Sequence, residues 1–157
     1  MPDISIIILT HNAHDFLKLT LTSVYTQRGV DYEVIVVDNN SNDNTKEMVT
    51  SQFPQAQFVA RDTSIGFSAG NNEGVRRAKS DTILFLNPDV TFTKPDDLAQ
   101  CYAKLCSDDK IGALTPRVNL VLNNQIDETS HRGFPTPWAS FTHFSQLSRI
   151  FPKVPLF

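Results

Sequence analysis

The sequence predicts an α/β protein built on a mostly parallel sheet with helices on both faces. Two observations predict it: short β-branched runs alternate with segments of helical spacing through residue 115, and the connections between them are short. Such an order favours parallel strands joined by right-handed crossovers. No glycine-rich loop follows the first run, so a dinucleotide site of the GxGxxG kind is not predicted.

Each element is predicted from its own pattern of apolar residues, with period two or continuous for strands and near 3.6 for helices. The predicted strands are 4–9, 33–37, 57–60, 82–86 and 110–115. The predicted helices are 13–27, 42–53, 68–79 and 96–107, with Asn42 and Asp43 as N-cap residues of the second. Beyond residue 115 the pattern weakens, and a strand at 117–122, a turn at Asn123-Asn124 and an amphipathic helix over 138–150 are the expectations.

The composition is that of one globular domain. The chain has 157 residues, of which 40% are hydrophobic and 20% charged, and it carries no apolar run of the length that spans a bilayer. A net charge of −3 argues against nucleic-acid binding. Cys101 and Cys106 are spaced for neither a zinc site nor a redox pair. With no signal peptide in the first strand-like segment, a cytoplasmic location is expected.

Two aspartates follow buried runs: Asp38 closes EVIVVD, and Asp89 comes just after ILFL in ILFLNPD. Open α/β sheets bind ligands at the carboxyl ends of their strands. One carboxylate there can accept a hydrogen bond from a nucleobase or ribose, and the other can hold Mg²⁺ or Mn²⁺ on a diphosphate. The alternatives are a turn-forming Asp38 and a turn initiated by Asn87-Pro88.

Two further segments supply polar groups at predicted strand or helix ends. Thr10-His11-Asn12 follows the first strand and could contact a base or ribose, although Asn12 is also a good N-cap residue. Residues 64–74 open a helix with small residues, including Gly66, and backbone amides at such a helix start favour phosphate or sugar groups.

The segments SIIILTHN, EVIVVDNNSNDNT, GFSAGNNEG and ILFLNPD, in this order, resemble the family 2 glycosyltransferases of GT-A fold, a Rossmann-like architecture. More narrowly they are similar to the bacterial rhamnosyltransferase-like branch, which RGFPTP also suits. The resemblance spans about residues 4–120. It implies that the nucleotide sugar contacts Thr10, His11, Asn12, Asp38, Asn40, Gly66, Asn71 and Asn87, and that Asp89 holds Mg²⁺ or Mn²⁺. Two positions depart from the family pattern: Asn87 replaces its first acid, and Ser64 stands where Asn is frequent.

The resemblance implies an inverting transfer of a sugar, with rhamnose the best guess, to a saccharide or lipid-linked acceptor in cell-surface polysaccharide synthesis. The donor would be dTDP-, UDP- or GDP-linked. The family's general base is expected beyond Phe157, so the fold is expected to be incomplete at its C-terminus. In that scheme 1–157 is a single domain, 1–115 being the nucleotide-sugar-binding half and 116–157 the start of the acceptor half. The alternative is a catalytically silent nucleotide-sugar-binding module.

The tail from His131 to Phe157 has no acidic residue and is rich in aromatics. One interpretation is peripheral contact with the inner face of a membrane. The other, which we favour, is a helix that packs on the sheet or on the rest of an enzyme. An apolar face left uncovered there predicts self-association.

Overall fold

The chain divides into two compact units, Met1–Leu114 and Thr115–Phe157. The computed structural model describes residues 1–120 and 125–126. The first unit contains four strands and four helices in strict alternation. Their bounds are β1 Ile4–Thr10, α1 His14–Val24, β2 Tyr32–Asp38, α2 Thr45–Gln52, β3 Gln57–Ala60, α3 Phe67–Val75, β4 Ile83–Phe85 and α4 Asp97–Leu105.

The four strands form one parallel sheet in the order β3-β2-β1-β4. β1 and β2 pair over their whole length, from Ile4 opposite Tyr32 to Thr10 opposite Asp38. On the other side of β1, the three residues of β4 pair with residues 5–7. Because all strands run the same way, their carboxyl ends meet at one edge of the sheet, as predicted.

Helices cover both faces of the sheet. Residues of α1, α2 and α4 cluster with Ile6 and Ile8 of β1, whose side chains point to one face. α3 lies on the opposite face, where a Cβ added to Gly70 would lie 2.4 Å from Leu9 Cδ1 and one added to Gly74 would lie 2.4 Å from Ile7 Cγ2. The small residues of α3 therefore allow its backbone to lie directly against β1. The predicted α/β class with helices on both faces is confirmed.

The predicted fifth strand at 110–115 is wrong. These residues form no strand; Ile111 N–H donates to Asp108 O in a turn (2.9 Å), and Leu114 is 41% exposed. Strand formation needs a neighbour to accept its backbone hydrogen bonds, and the described residues provide none here.

The second unit is described at 115–120 and 125–126. Within this part Asn119 forms an isolated antiparallel bridge with Ile126, and Leu120 N–H donates to Gln125 O (2.8 Å). The predicted turn at Asn123-Asn124 and the aromatic helix at 138–150 lie outside the described residues.

One local expectation for the helices also needs correction. The α2 helix begins at Thr45, after Asn44 as the N-cap residue, rather than at Asn42. In α1, Phe16 is 61% exposed, whereas Thr20 is fully buried. Among the described residues, no helix has the length and apolar character needed to cross a membrane.

Candidate functional site

The predicted site residues of three strands meet at the carboxyl edge of the sheet. β1 lies between β2 and β4, with Thr10 opposite Asp38 and Leu86 N–H donating to Ile7 O (2.9 Å). Neighbouring strands are about 4.8 Å apart, so β2 and β4 lie roughly 10 Å apart across β1. The Asp38 and Asp89 turns therefore flank the end of β1.

Asp38 is held inside its own turn. The residue is 6% exposed, and its Oδ1 accepts hydrogen bonds from the Ser41 N–H (3.2 Å) and the Ser41 hydroxyl (2.5 Å). The turn-forming interpretation is therefore correct for this oxygen. Within residues 1–120 and 125–126, Oδ2 accepts no hydrogen bond and remains available to a ligand.

Thr10 places a second polar atom beside Asp38. Its side chain is 1% exposed, and its hydroxyl has no hydrogen-bond partner among the described residues. An unsatisfied buried hydroxyl costs about 1–3 kcal/mol. A water molecule or a ligand hydroxyl at the end of β1 would remove that cost.

Asn12 connects the turns that follow β1 and β2. Its Oδ1 accepts a hydrogen bond from Asn42 N–H (2.7 Å), and its own N–H donates to the Ser41 hydroxyl (2.9 Å). The N-cap residue of α1 is Ala13, without a side-chain cap, so the capping interpretation of Asn12 is wrong. The φ of 50° at Asn12 is one that asparagine tolerates better than most residues.

His11 is oriented by the loop after β2. Its Nδ1 lies 2.9 Å from the carbonyl oxygen of Asn39. Since a carbonyl can only accept, Nδ1 is the donor in this contact, and in the tautomer with its proton on Nδ1 the other ring nitrogen, Nε2, is an acceptor. Asn12 Nδ2 lies 3.4 Å from that nitrogen. The exposed ring edge thus offers a fixed acceptor at the carboxyl edge.

Asn39 was missed by the sequence reasoning, which assigned its neighbours Asp38 and Asn40. It is 7% exposed, its Oδ1 accepts from Ile65 N–H (2.8 Å), and its Nδ2 donates to the Ser64 hydroxyl (3.0 Å). This contact also explains Ser64, whose role the sequence left open. The signal available was the polar run DNNS itself, which does not say which member turns inward.

Three other predicted residues lie around this edge. Asn40 has a φ of 67°, and Gly66 has a φ of 78° in a conformation that favours glycine. Asn71 is 8% exposed and donates through Nδ2 to Phe67 O in its own helix (3.1 Å). The side-chain amide of Asn71 is therefore engaged within α3, while Gly66 lies at the open start of that helix.

Asp89 lies in a turn closed by the hydrogen bond from Val90 N–H to Asn87 O (3.3 Å). Asn87 and Asp89 are both exposed. In the part of the chain that the structure describes, the Asp89 carboxylate has no hydrogen-bond partner, and no three His, Cys, Asp or Glu side chains gather around one point. A lone exposed carboxylate suits Mg²⁺ or Mn²⁺, which usually keep several waters and take substrate phosphates as further ligands.

An open groove of about 550 Å³ runs beside the starts of α1 and α2. It is lined by Asn12, Ala13, His14, Asp15, Phe16, Asn42, Asp43 and Asn44. Burial raises the pKa of Asp43, but hydrogen bonds from Thr45 and from the His14 N–H, with the His14 charge, outweigh it and leave the pKa below its ordinary value. The groove borders the Asn12 and Asn42 turns and includes neither Asp38 nor Asp89.

The sequence profile of Glycosyl transferase family 2 matches residues 5–156. The chain belongs to this family. It is 31% identical over 99 residues to the succinoglycan biosynthesis protein ExoO of Rhizobium meliloti. This alignment covers 62% of the chain and 28% of ExoO. It is 32% identical over 134 residues to a chondroitin synthase of Escherichia coli, covering 82% of the chain and 18% of that protein.

Two solved structures have the same fold as this chain. The mannosyltransferase PcManGT from Pyrobaculum calidifontis, in complex with GDP-Man and Mn²⁺, matches with a TM-score of 0.62 and 25% identity over 67% of this chain and 32% of that one. Residues 1–349 of TarS from S. aureus, in complex with UDP-GlcNAc, match with a TM-score of 0.60 and 23% identity over 66% and 31%. The predicted GT-A fold is confirmed, and the chain spans less than half of the length of each of these proteins.

Proposed function

We propose that the chain binds a nucleotide-diphosphate sugar at the carboxyl edge, as the donor-binding part of a glycosyltransferase. One observation carries the proposal. A buried, unpartnered Thr10 hydroxyl lies at a strand end beside Asp38, and the exposed carboxylate of Asp89 follows the strand on the other side of β1. Hydrogen-bonding groups and a metal ligand thus lie on the two sides of β1 at the same edge of the sheet.

The nucleoside is assigned to the β1–β2 side of the site. Asp38 Oδ2 and His11 Nε2 are acceptors there, suited to an imide or amino N–H of a base or to a ribose hydroxyl. Thr10 supplies a hydroxyl, and the start of α3 at Gly66 supplies backbone N–H groups toward the phosphates.

The diphosphate is assigned to the β4 side, where Asp89 would hold Mg²⁺ or Mn²⁺ with Asn87 beside it. Bound there, the metal would neutralise the charge that develops on the departing nucleoside diphosphate. The chain's own contribution is to keep the carboxylate in solvent, free of competing hydrogen bonds from the described residues.

The proposed reaction is an inverting glycosyl transfer. The acceptor hydroxyl oxygen forms a bond to the anomeric carbon while the bond from that carbon to the β-phosphate oxygen breaks. The hydroxyl proton passes to a general base, a role that we assign to none of the described residues. The described residues supply the donor side of this reaction.

The names of two relatives, a succinoglycan biosynthesis protein and a chondroitin synthase, support a role in polysaccharide synthesis with a saccharide or lipid-linked acceptor. The complex of PcManGT with GDP-Man and Mn²⁺ supports a metal-dependent donor site. A dTDP-rhamnose donor is proposed on the resemblance of the four motifs to the rhamnosyltransferase-like branch. A cytoplasmic location remains a prediction.

Calorimetric titration of dTDP, UDP and GDP into the full chain, with and without Mn²⁺, tests the site. We expect one nucleotide to bind and Mn²⁺ to tighten its binding. Asp89→Ala should remove the effect of Mn²⁺, while Asp38→Ala should also weaken the nucleotide alone. Asp81→Ala, which removes an exposed carboxylate just before β4, at the opposite edge of the sheet, is the matched control and should bind like the parent. Parent-like binding by both Asp38→Ala and Asp89→Ala would refute the site, and product formation from the nucleotide sugar would separate a transferase from a silent binding module.

A further inference from the structure

We infer that Thr20 of α1 is a positioning residue that fixes the Asn87–Asp89 turn so that Asp89 can hold its metal. The inference rests on the proposed function, because it assigns a task to Asp89. Thr20 is fully buried on α1, and its hydroxyl donates to the carbonyl oxygen of Pro88 at 2.7 Å. It contacts neither a nucleotide nor a metal in this scheme and acts through the turn.

The sheet does not reach this turn. β4 ends at Phe85, and Leu86 N–H makes the hydrogen bond to Ile7 O that follows it. Within the turn itself the backbone is closed by the Asn87–Val90 hydrogen bond of 3.3 Å, which is long for an N–H···O bond. Side chains from outside the turn are therefore needed to set its position.

A row of polar side chains at the end of α1 meets that need. Ser23 Oγ accepts a hydrogen bond from Phe92 N–H (3.1 Å), and it donates to Thr20 O (2.8 Å). Gln27, which is 6% exposed, donates to Lys94 O (2.8 Å). Thr20 and Ser23 lie one turn apart on α1, and Gln27 follows just after the helix ends, so this end of α1 and the segment after it hold the backbone from residue 88 to residue 94.

Thr20 has the most direct effect on Asp89 because of where its bond is made. The carbonyl of Pro88 belongs to the planar peptide unit that joins Pro88 to Asp89. The proline ring already restricts φ on one side of that unit. A hydrogen bond to this carbonyl therefore sets the plane from which the Asp89 side chain departs. A metal with one carboxylate ligand from the turn depends on that direction.

The decisive variants are Thr20→Val, which keeps the shape but has no hydroxyl, and Thr20→Ser, which keeps the donor. Thr22→Val is the matched control, because Thr22 is exposed on the same helix and donates to Lys18 O (2.7 Å). We expect Thr20→Val to weaken the Mn²⁺ affinity of the nucleotide-bound full chain roughly 10-fold, within the range seen for groups that orient metal ligands. Nucleotide affinity without Mn²⁺ should stay the same, Thr20→Ser should recover most of the loss, and Thr22→Val should match the parent.

A second readout needs no metal. Amide hydrogen exchange at Val90, whose N–H closes the turn by donating to Asn87 O, should be faster in metal-free Thr20→Val than in the parent, while amides in β1 keep their protection. Equal exchange at the Val90 amide, or an unchanged Mn²⁺ affinity in a folded Thr20→Val, overturns the inference. If Thr20→Val does not fold, Thr20→Ala, which also lacks the hydroxyl, replaces it: weaker Mn²⁺ affinity supports the inference, and unchanged affinity overturns it.

The parent chain separates this inference from the proposed function. If Mn²⁺ tightens nucleotide binding in the parent and Asp89→Ala abolishes the effect, the proposed site stands, and Thr20→Val alone decides the inference. If the parent shows no response to Mn²⁺, or Asp89→Ala responds like the parent, the metal assignment fails and the role of Thr20 toward a metal ligand fails with it.

Discussion

Asp38 and Asp89 lie at the same edge of the sheet, at the end of β2 and after the end of β4. Asp38 is 6% exposed and hydrogen-bonded, whereas Asp89 is exposed to solvent. The Asp38 turn is tied to β1 through Asn12 and to the start of α3 through Asn39. The Asp89 turn is tied through its backbone to α1, by the Thr20 hydroxyl. The Asp38 carboxylate therefore helps to hold its own turn together, whereas the Asp89 carboxylate is exposed by a turn that other residues hold.

This difference suits the two tasks proposed for the site. A group that distinguishes one base from another must be rigid, since a loose acceptor tolerates several partners. A metal ligand must instead stay unpaired until the cation and the diphosphate arrive. We therefore expect substitutions in the Asp38 turn to lower the free energy of unfolding, and a substitution of Asp89 to change metal binding with little effect on stability.

The largest expected effect is on stability at Asp38. Asp38→Ala leaves the Ser41 N–H and hydroxyl without their buried acceptor and should lower the free energy of unfolding by about 3 kcal/mol, the upper end for hydrogen bonds to a charged group. Asp89→Ala should change it by less than about 0.5 kcal/mol, as at other exposed sites. Urea unfolding followed by circular dichroism measures both. Equal losses in the two variants would contradict the contrast between the turns.

Asn39 should show the next largest effect. Asn39→Ala removes two side-chain hydrogen bonds, to Ile65 and Ser64, and should cost about 2 kcal/mol at roughly 1 kcal/mol per bond. It should also weaken nucleotide binding, because the loop that leads to Gly66 loses its anchor. Asn39→Asp keeps an acceptor for Ile65 N–H and should lose about half as much stability. Nucleotide affinity that is unchanged in a folded Asn39→Ala would mean that this loop takes no part in the site.

Much of this arrangement was predictable because it depends on local pattern and chain order. The β-branched runs predicted the bounds of β1 and β2 nearly to the residue, and the strict alternation of strands with helices predicted that the strands are parallel. Parallel strands bring their carboxyl ends together, so the positions of Thr10, Asp38 and Asp89 at one edge followed without any tertiary information.

The parts that were missed depend on contacts between distant segments. Thr20 and Asn39 have their roles through Pro88 and Ile65, partners that lie 68 and 26 residues away and that no spacing rule reveals. The wrong strand at 110–115 had suitable residues but no neighbour in the described chain. The small residues of GFSAGNNEG were interpreted only as a phosphate site, and the pattern did not reveal that Gly70 and Gly74 are also needed for contact between α3 and β1.

The smallest predicted effect concerns pH and lies on the Asp38 side of the site. Asp43 accepts hydrogen bonds from His14 N–H (3.1 Å) and Thr45 N–H (3.1 Å), and although burial raises its pKa, these bonds hold the pKa below its ordinary value of 3.8. A carboxyl group with a lowered pKa in the folded state stabilises the fold above its unfolded pKa, and this stabilisation is lost as the pH falls through the folded value. The free energy of unfolding of the parent should therefore exceed that of Asp43→Asn at pH 5, and the gap should narrow as the pH falls below 3.8. Urea unfolding of both proteins across this pH range measures the difference in their free energies of unfolding. A difference that stays constant down to pH 2 would show that the Asp43 charge does not help to join the starts of α1 and α2.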